Sequence, residues 1–199
     1  MLYPISFPAV APATERLTLN HRQSATESTW TFAQQTVHTA SQWMLEWTWP
    51  QMTFEKAEGV AAWLQSLKGQ IGTFRYAPRQ SRAYIKGPLT LATNGYAYGD
   101  TISILGFASS GATGFRLGQF FQLGDQLLQI VVAPANAAVN GAATISFEPE
   151  LRRDFAGGTA VNFINPSGLF RLASSSGIGF TLDPDKLPIF GTIQAREAV

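Results

Sequence analysis

The fold is decided by residues 43–49, which read WMLEWTW. Four large apolar side chains occupy every second position of this segment: Trp43, Leu45, Trp47 and Trp49. Successive side chains of a β-strand point to opposite faces, so the period of two predicts a strand with one aromatic face. Just upstream, Trp30 and Phe32 are also two positions apart, so in a strand their side chains would share one face. Together the two runs predict an antiparallel pair of strands over residues 28–50, with residues 39–42 as the connection.

One amphipathic helix is predicted after this pair. Four apolar side chains lie at the i, i+3, i+4 and i+7 positions of a helix: Val60, Trp63, Leu64 and Leu67. Thr53 precedes them as a candidate N-cap, and Gly69 follows them as a candidate C-cap. These signals predict a helix over residues 54–68, followed by a short strand over residues 73–76.

The middle of the chain is almost free of charge. From residue 101 to residue 147 only Arg116 and Asp125 are charged, and the segment is rich in glycine, alanine and serine. Gly124 and Asp125 predict a tight turn between two short strands. We therefore predict a compact, barrel-like all-β unit over residues 86–160.

The whole chain is predicted to be mainly β with one amphipathic helix, an α+β fold. The simplest domain organisation is discontinuous. Residues 1–85 and 161–199 form one domain, and the small β-barrel-like unit of residues 86–160 is inserted into it.

Composition limits the chemistry that this chain can perform. Of its 199 residues only 14% are charged, against about 25% in an average protein, and cysteine is absent. A disulfide framework, a thiolate nucleophile and a cysteine-bound metal are therefore excluded. The net charge of +1 provides no basic field for nucleic acid or an anionic membrane. No apolar run approaches the ~20 residues of a membrane span, and the N-terminus does not read as a signal peptide.

No catalytic, cofactor or metal site is predicted. The two histidines, His21 and His38, have no second histidine at metal-ligand spacing. No serine lies in the frame of a nucleophile elbow, and no pair of carboxylates stands out among the 13 acidic residues.

The large apolar side chains are instead the candidate core or subunit-interface residues: Trp30, Trp43, Trp47, Trp49, Trp63, Leu64 and Leu67. Each buried aromatic ring removes ~150–250 Å² from water, which contributes several kcal/mol. Tryptophan rows also occur in sugar-binding modules, but the regular alternation beside an amphipathic helix favours a core or an interface.

The chain resembles small tail-tip proteins of long-tailed, non-contractile bacteriophages. The resemblance is carried by ordered segments between residues 43 and 172: WTWP at 47–50, AWLQSLKG at 62–69, GTF at 72–74, FFQLGDQLLQI at 120–130 and EPELR at 148–152. The family that it resembles most is the distal tail protein.

The resemblance implies a split-barrel belt domain that assembles into a hexameric ring, with the second β domain outside the ring. Such a ring joins the tail tube to the baseplate hub, and the family has no catalytic residues. The implied partners are further copies of the chain, the tail tube protein, and the baseplate hub and tail-tip proteins. The implied location is the tail tip of the virion, after synthesis in the host cytoplasm.

A ring subunit needs two different, complementary contact surfaces. The proline-rich N-terminal arm, residues 1–14, is expected to supply one of them by adding a strand to a neighbouring subunit. Two other functions remain open. In the first, the 86–160 unit is a binding module for a carbohydrate or a partner fibre. In the second, the protein is a tail-associated hydrolase.

Overall fold

The computed structural model describes residues 2–79, 85, 87–174, 179–185 and 187–198. Within these residues the fold is mainly β, with one helix and a closed six-stranded barrel, as the sequence predicts. The elements in chain order are β1 (Ile5–Ser6), β2 (Thr14–Glu27), β3 (Gln34–Thr48), α1 (Phe54–Ser66), β4 (Phe74–Tyr76), β5 (Leu89–Leu91), β6 (Thr101–Leu105), β7 (Phe120–Leu123), β8 (Gln126–Val132), β9 (Ala142–Glu148), β10 (Ala160–Asn162), β11 (Gly168–Leu172), β12 (Phe180–Leu182), β13 (Pro188–Phe190) and β14 (Ile193–Glu197).

The chain divides into two compact units. The first comprises Met1–Thr18, Met44–Gln80 and Ser167–Val199, and the second comprises Leu19–Trp43 and Ser81–Pro166. The predicted inserted unit, residues 86–160, falls within the second unit. Residues 19–43, which the sequence assigned to the first domain, also belong to the second unit. They do so because Ser41 and Trp43 bond to the barrel.

The first unit is built on a six-stranded sheet with the strand order β1-β4-β11-β14-β3-β2. β1 runs parallel to β4, whereas β14 pairs antiparallel with β3, placing Leu45 opposite Ala195 and Trp47 opposite Ile193. Leu45, Trp47 and Trp49 are all buried, so the predicted aromatic face forms a core. A separate two-stranded sheet, β12-β13, completes the strands of this unit.

The predicted connection at residues 39–42 is wrong. β3 is one strand of 15 residues that runs straight through this segment, and its partner is the 14-residue β2. The turn lies at residues 28–33, where the Ser28 N–H donates to the Ala33 carbonyl at 2.9 Å. The polar residues 39–42 are typical of a turn, but in this strand the Thr39 hydroxyl donates to the Arg22 carbonyl of β2 at 2.8 Å.

The helix begins where predicted, at Phe54, and ends at Ser66, two residues early. Thr53 holds the N-cap position in an extended conformation, although its side chain makes no capping hydrogen bond. At the other end Gly69 has a φ of 67°, which glycine adopts without strain. The helix packs through Ala57, Val60 and Leu64, all of which are buried.

The N-terminal segment packs within its own unit, where β1 pairs with β4 and the half-buried Phe7 contacts other rings, whereas a contact of residues 1–14 with a neighbouring subunit stays a prediction. The Phe7 ring lies 4.9–6.1 Å, between ring centroids, from the rings of Tyr76, Trp63, Trp47, Phe74 and Trp49. Two indole N–H groups also hold this segment: Trp63 donates to the Ser6 carbonyl at 2.8 Å and Trp49 to the Val10 carbonyl at 3.2 Å.

The second unit contains the closed barrel, with the strand order β10-β5-β6-β9-β8-β7. Its interior is filled by large apolar side chains: Ile104, Phe121, Leu123, Leu128, Phe147 and Leu151. The predicted turn at Gly124 and Asp125 is confirmed, since it joins β7 to β8 with Leu123 opposite Gln126. Gly124 has a φ of 60° and lies against Phe155, whose ring atoms a Cβ would meet at 2.9 Å.

Replacing Phe7 by alanine should lower the free energy of unfolding by about 1–3 kcal/mol, because it removes a half-buried ring that contacts five other aromatic rings. Urea denaturation followed by tryptophan fluorescence measures the change. Leu2→Ala is the matched control in the same segment, since Leu2 is exposed. Equal stability of the two variants would show that the segment does not contribute to the core.

Candidate functional site

The hairpin segment of the second unit, residues 19–43, is the candidate interaction site, and we call it the arm. Every residue from Asn20 to Thr39 is exposed except Ser28, which is half-buried. A strand in a globular sheet ordinarily buries at least one face. A two-stranded hairpin exposed on both faces is marginally stable in water. The exposed part of the arm is therefore suited to being covered by a binding partner.

In the described part of the chain, both edges of the arm are open for further strand pairing. β2 is the last strand of its sheet, and β14 pairs with β3 only from Met44 onward. Among the described residues, no strand pairs with the free edge of β2 or with residues 34–40 of β3 on the side away from β2. Exposed strand edges carry unpaired N–H and C=O groups that can pair with another chain.

The arm has few charges. From Asn20 to Thr39 only Arg22 and Glu27 are charged at neutral pH, and the other residues are mainly threonine, glutamine, serine and alanine. His21 and His38 lie beside each other, with 5.4 Å between their ring centroids. Depletion of charge is characteristic of surfaces that become the centre of a protein interface.

The turn of the arm, residues 28–33, carries its largest apolar side chains, and we call it the tip. Trp30 is 92% exposed and Phe32 is 76% exposed. The sequence placed Trp30 in a strand as a candidate core or interface residue. Its exposure shows that it is not a core residue of this chain.

A polar cluster anchors the inner end of the arm to the barrel. Ser41 is only 1% exposed, and its hydroxyl donates to Oε2 of Glu150 at 2.7 Å. The backbone N–H of Ser41 donates to the other carboxylate oxygen of Glu150 at 3.4 Å. Arg152 joins the two, since its Nη1 lies 3.2 Å from Oε1 of Glu150 and its Nη2 donates to the Ser41 carbonyl. We call Ser41, Glu150 and Arg152 the anchor.

Gln126 supports the anchor from the barrel. Its amide Nε2 donates to the Glu150 carbonyl at 2.8 Å, and its Oε1 accepts the Arg152 N–H at 3.1 Å. Burial by itself would raise the pKa of the Glu150 carboxyl. The hydrogen bond from Ser41, the backbone N–H groups and the Arg152 guanidinium outweigh burial, so the pKa of Glu150 lies below its ordinary value.

Trp43 makes the second attachment between the arm and the barrel. Its side chain is buried, and its indole N–H donates to the Leu127 carbonyl at 2.9 Å. Its ring lies 5.6 Å from the Phe120 ring, between centroids. This buried hydrogen bond and ring contact hold the arm next to the polar anchor.

The anchor contains the residue types of a serine hydrolase, but their arrangement is different. In a catalytic triad the serine hydroxyl donates to a histidine nitrogen, and the carboxylate orients that histidine. Here the Ser41 hydroxyl donates directly to Glu150, and Nε2 of His38 lies 3.9 Å from the same carboxylate. Ser41 is also buried. This geometry holds the arm in position and does not activate a nucleophile.

No group of three or more histidine, aspartate and glutamate side chains in the described part of the chain is arranged to hold a metal ion. In the same residues, no helix has the length and apolar character that crossing a membrane requires.

The structure separates the predicted core and interface residues into three places. Trp47, Trp49, Leu64 and Leu67 are buried in the first unit, and Trp63 is half-buried beside them. Trp43 attaches the arm to the barrel, and Trp30 lies at the tip. Sequence reasoning missed the anchor, because Ser41 and Glu150 are 109 residues apart and neither segment contains a motif that pairs them.

No model of a known protein family matches this chain, and no curated protein sequence matches it.

Substituting Glu150 by glutamine should lower the free energy of unfolding at pH 7 by about 1–3 kcal/mol, since it removes charged hydrogen bonds. Folding lowers the pKa of Glu150. The ionised carboxylate therefore stabilises the folded protein in full at pH values above the pKa of about 4.3 that a glutamate has in the unfolded chain. This stabilisation is lost as the pH falls through the pKa that Glu150 has in the folded protein. The difference between the wild type and the variant should therefore narrow in acid.

Urea denaturation at pH 7 and at pH 3 tests this expectation. Glu58→Gln, on the exposed face of the helix, is the matched control and should change stability little at either pH. A stability loss in Glu150→Gln that is the same at both pH values would refute a charge-based role for the anchor.

Proposed function

We propose that the protein is a structural subunit of a ring at the distal end of a long, non-contractile phage tail, where the ring joins the tail tube to the baseplate hub. The observation that carries this proposal is the arm, which is exposed on both faces and which no further described strand pairs with at either edge. The order of sequence segments that resembles distal tail proteins supports it independently.

The two edges of the arm are different surfaces, as a closed ring requires. The β2 edge of one copy lies beside the β3 edge of the next, and the two strands run antiparallel because β2 and β3 are antiparallel within each copy. Each such contact satisfies backbone groups that are otherwise left to water. A head-to-tail contact of this kind closes into a ring when the rotation between copies allows it.

The first unit supplies a second surface suited to assembly. Four apolar side chains around the β12-β13 sheet and the start of α1 are exposed: Phe54, Leu182, Leu187 and Ile189. Phe54 and Phe180 are close, with 6.3 Å between their ring centroids. Groups of exposed apolar side chains of this kind mark sites of protein interaction. They are suited to a neighbouring copy or to the next protein of the tail.

The finer parts of the proposal come from the resemblance. The ring is hexameric, and its partners are the tail tube protein, the baseplate hub and the tail-tip proteins. The protein is made in the host cytoplasm and lies at the tail tip of the virion. No catalytic step is part of the proposal. The buried Ser41 and its direct bond to Glu150 give no support to the hydrolase alternative.

A second candidate function, binding of a carbohydrate or a partner fibre by the barrel, is favoured by one loop. Tyr96 and Tyr98 are both exposed, and Tyr98 has a φ of 65°, a conformation that bulky residues seldom adopt. Two backbone bonds hold this loop: the Tyr98 N–H donates to the Leu151 carbonyl at 2.7 Å and the Gly99 N–H to the Tyr96 carbonyl at 3.0 Å. Exposed, rigidly held tyrosines are common contact residues in binding sites. Loss of host-cell binding in a Tyr96→Ala, Tyr98→Ala variant that still assembles would support this second function.

Shortening the arm should abolish the ring without unfolding the subunit. Deleting Ser24–Glu27 together with Gln34–Val37 removes four residues from each strand, which is about 13 Å of arm, and leaves the tip and the anchor intact. The deleted residues are exposed, so the thermal midpoint should stay close to that of the wild type. Mass photometry should report monomers for the variant and a closed oligomer for the wild type.

The matched control is Tyr98→Ser, which changes an exposed aromatic residue outside the arm and should assemble normally. The proposal fails if the shortened variant forms the same oligomer as the wild type. It also fails if the wild type stays monomeric at high concentration and is absent from tail tips in labelled micrographs of virions.

A further inference from the structure

The two histidines of the chain meet on the arm. His21 lies on β2 and His38 on β3, and the centroids of their imidazole rings are 5.4 Å apart. The sequence contains 2 histidines in 199 residues, so both of its imidazoles lie at this one place. Their spacing along the chain matches no metal-binding motif, because the pairing of β2 with β3, and not a local turn, brings them together.

The separation of the two rings suits a shared metal ion. Zinc binds imidazole nitrogen at about 2.0–2.1 Å and prefers tetrahedral coordination. Two imidazoles on one tetrahedral zinc ion therefore have ring centroids about 5–5.5 Å apart. The 5.4 Å between His21 and His38 lies in this range, and their ring planes are inclined at 59°, unlike the parallel planes of a stacked pair.

Both rings are accessible from water and lie on a paired backbone. His21 is exposed, and the side chain of His38 is 42% exposed. Beside them the Thr39 hydroxyl donates across the two strands to the Arg22 carbonyl at 2.8 Å. Further along β3, Ser41 is held by the anchor. Ligands on a backbone that is already held lose little conformational freedom when they bind an ion.

Glu150 places a negative charge beside this pair. Its Oε2 lies 3.9 Å from Nε2 of His38, a distance at which the contact is electrostatic and not a hydrogen bond. The carboxylate already accepts from the Ser41 hydroxyl and pairs with Arg152, so it belongs to the anchor. A carboxylate near one nitrogen of a histidine favours the proton on that nitrogen and leaves the other for a metal. Glu150 therefore favours Nδ1 of His38 as the ligating nitrogen.

We propose that His21 and His38 together bind one Zn²⁺ ion on the arm. Imidazole is a ligand for zinc, copper and nickel, whereas magnesium and calcium prefer oxygen. Water fills the remaining positions, since no group of three histidine, aspartate and glutamate side chains in the described part of the chain is arranged to complete the site. The inference goes beyond the proposed ring and does not depend on it, because both ligands belong to one copy.

A zinc titration of the untagged protein, first freed of metal with a chelator, tests the proposal. Isothermal titration calorimetry at pH 7.5 with zinc chloride should give one zinc ion per chain. His21→Asn and His38→Asn should each weaken binding by about tenfold or more, because each removes one of two ligands. Gln35→Asn, on the exposed part of the arm, is the matched control and should bind like the wild type. Magnesium chloride should give no binding heat.

Nuclear magnetic resonance of the imidazoles identifies the ligands. The chain has two histidines, so the spectrum contains two ring systems, which the single variants assign. Zinc should shift both ring systems together, and binding should be lost at pH 5, because a ligating imidazole must be neutral. Without zinc, the thermal midpoints of His21→Asn and His38→Asn should match that of the wild type, since both side chains are exposed. A loss of zinc binding is thereby separated from a loss of fold.

Each of five results would overturn the proposal. They are no binding at millimolar zinc, unchanged affinity in either histidine variant, a shift of only one imidazole ring, binding that persists at pH 5, and one zinc ion per two chains, which would place the site between copies. The ring is scored separately, by the mass of the shortened-arm variant without zinc, and that variant keeps both histidines.

Discussion

Both units depend on one constraint, the period-two alternation of β3. This single strand contributes Trp43 to the second unit and Leu45 and Trp47 to the core of the first unit. Because the side-chain period of a strand is two, a shift of register by one residue would turn all three side chains to the opposite face. Pairing with β14, which places Trp47 opposite Ile193, prevents such a shift. The arm is part of the same strand, since Ser41 and Trp43 come just before these core residues in the sequence.

The arm is a place where folding and function have different requirements. At its inner end Ser41 and Trp43 are buried, and they bond to the barrel through the Ser41 hydroxyl to Glu150 and the Trp43 indole to the Leu127 carbonyl. Its outer residues, from Asn20 to Thr39, bury almost nothing in the chain. Removing a buried polar partner is costly, whereas an exposed residue can change without affecting stability. The anchor therefore holds the inner end of the arm, and the exposed residues of the arm can be substituted without loss of that attachment.

Much of the fold could be predicted from local pattern, but the anchor could not. Trp47 and Trp49 alternate with polar residues, the stripe of Val60 and Leu64 has helical spacing, and Gly124 with Asp125 forms the turn that such a pair predicts. Each of these signals lies within a few residues. The turn of the arm was misplaced because Thr39 to Gln42 are polar enough for a turn, and only their cross-strand bonding to β2 shows that they form a strand.

The sequence by itself determined the fold class, the aromatic face of β3, the charge-poor barrel and the absence of cysteine chemistry, because composition and short periods are local properties. Only the tertiary structure decided that the Phe7 ring packs against the rings of its own unit, that Ser41 meets Glu150, and that Trp30 is exposed. A tryptophan in a period-two pattern is equally consistent with a core and with an open arm. Which of the two it occupies depends on whether another layer of the chain packs against it, and that layer comes from residues far away in sequence.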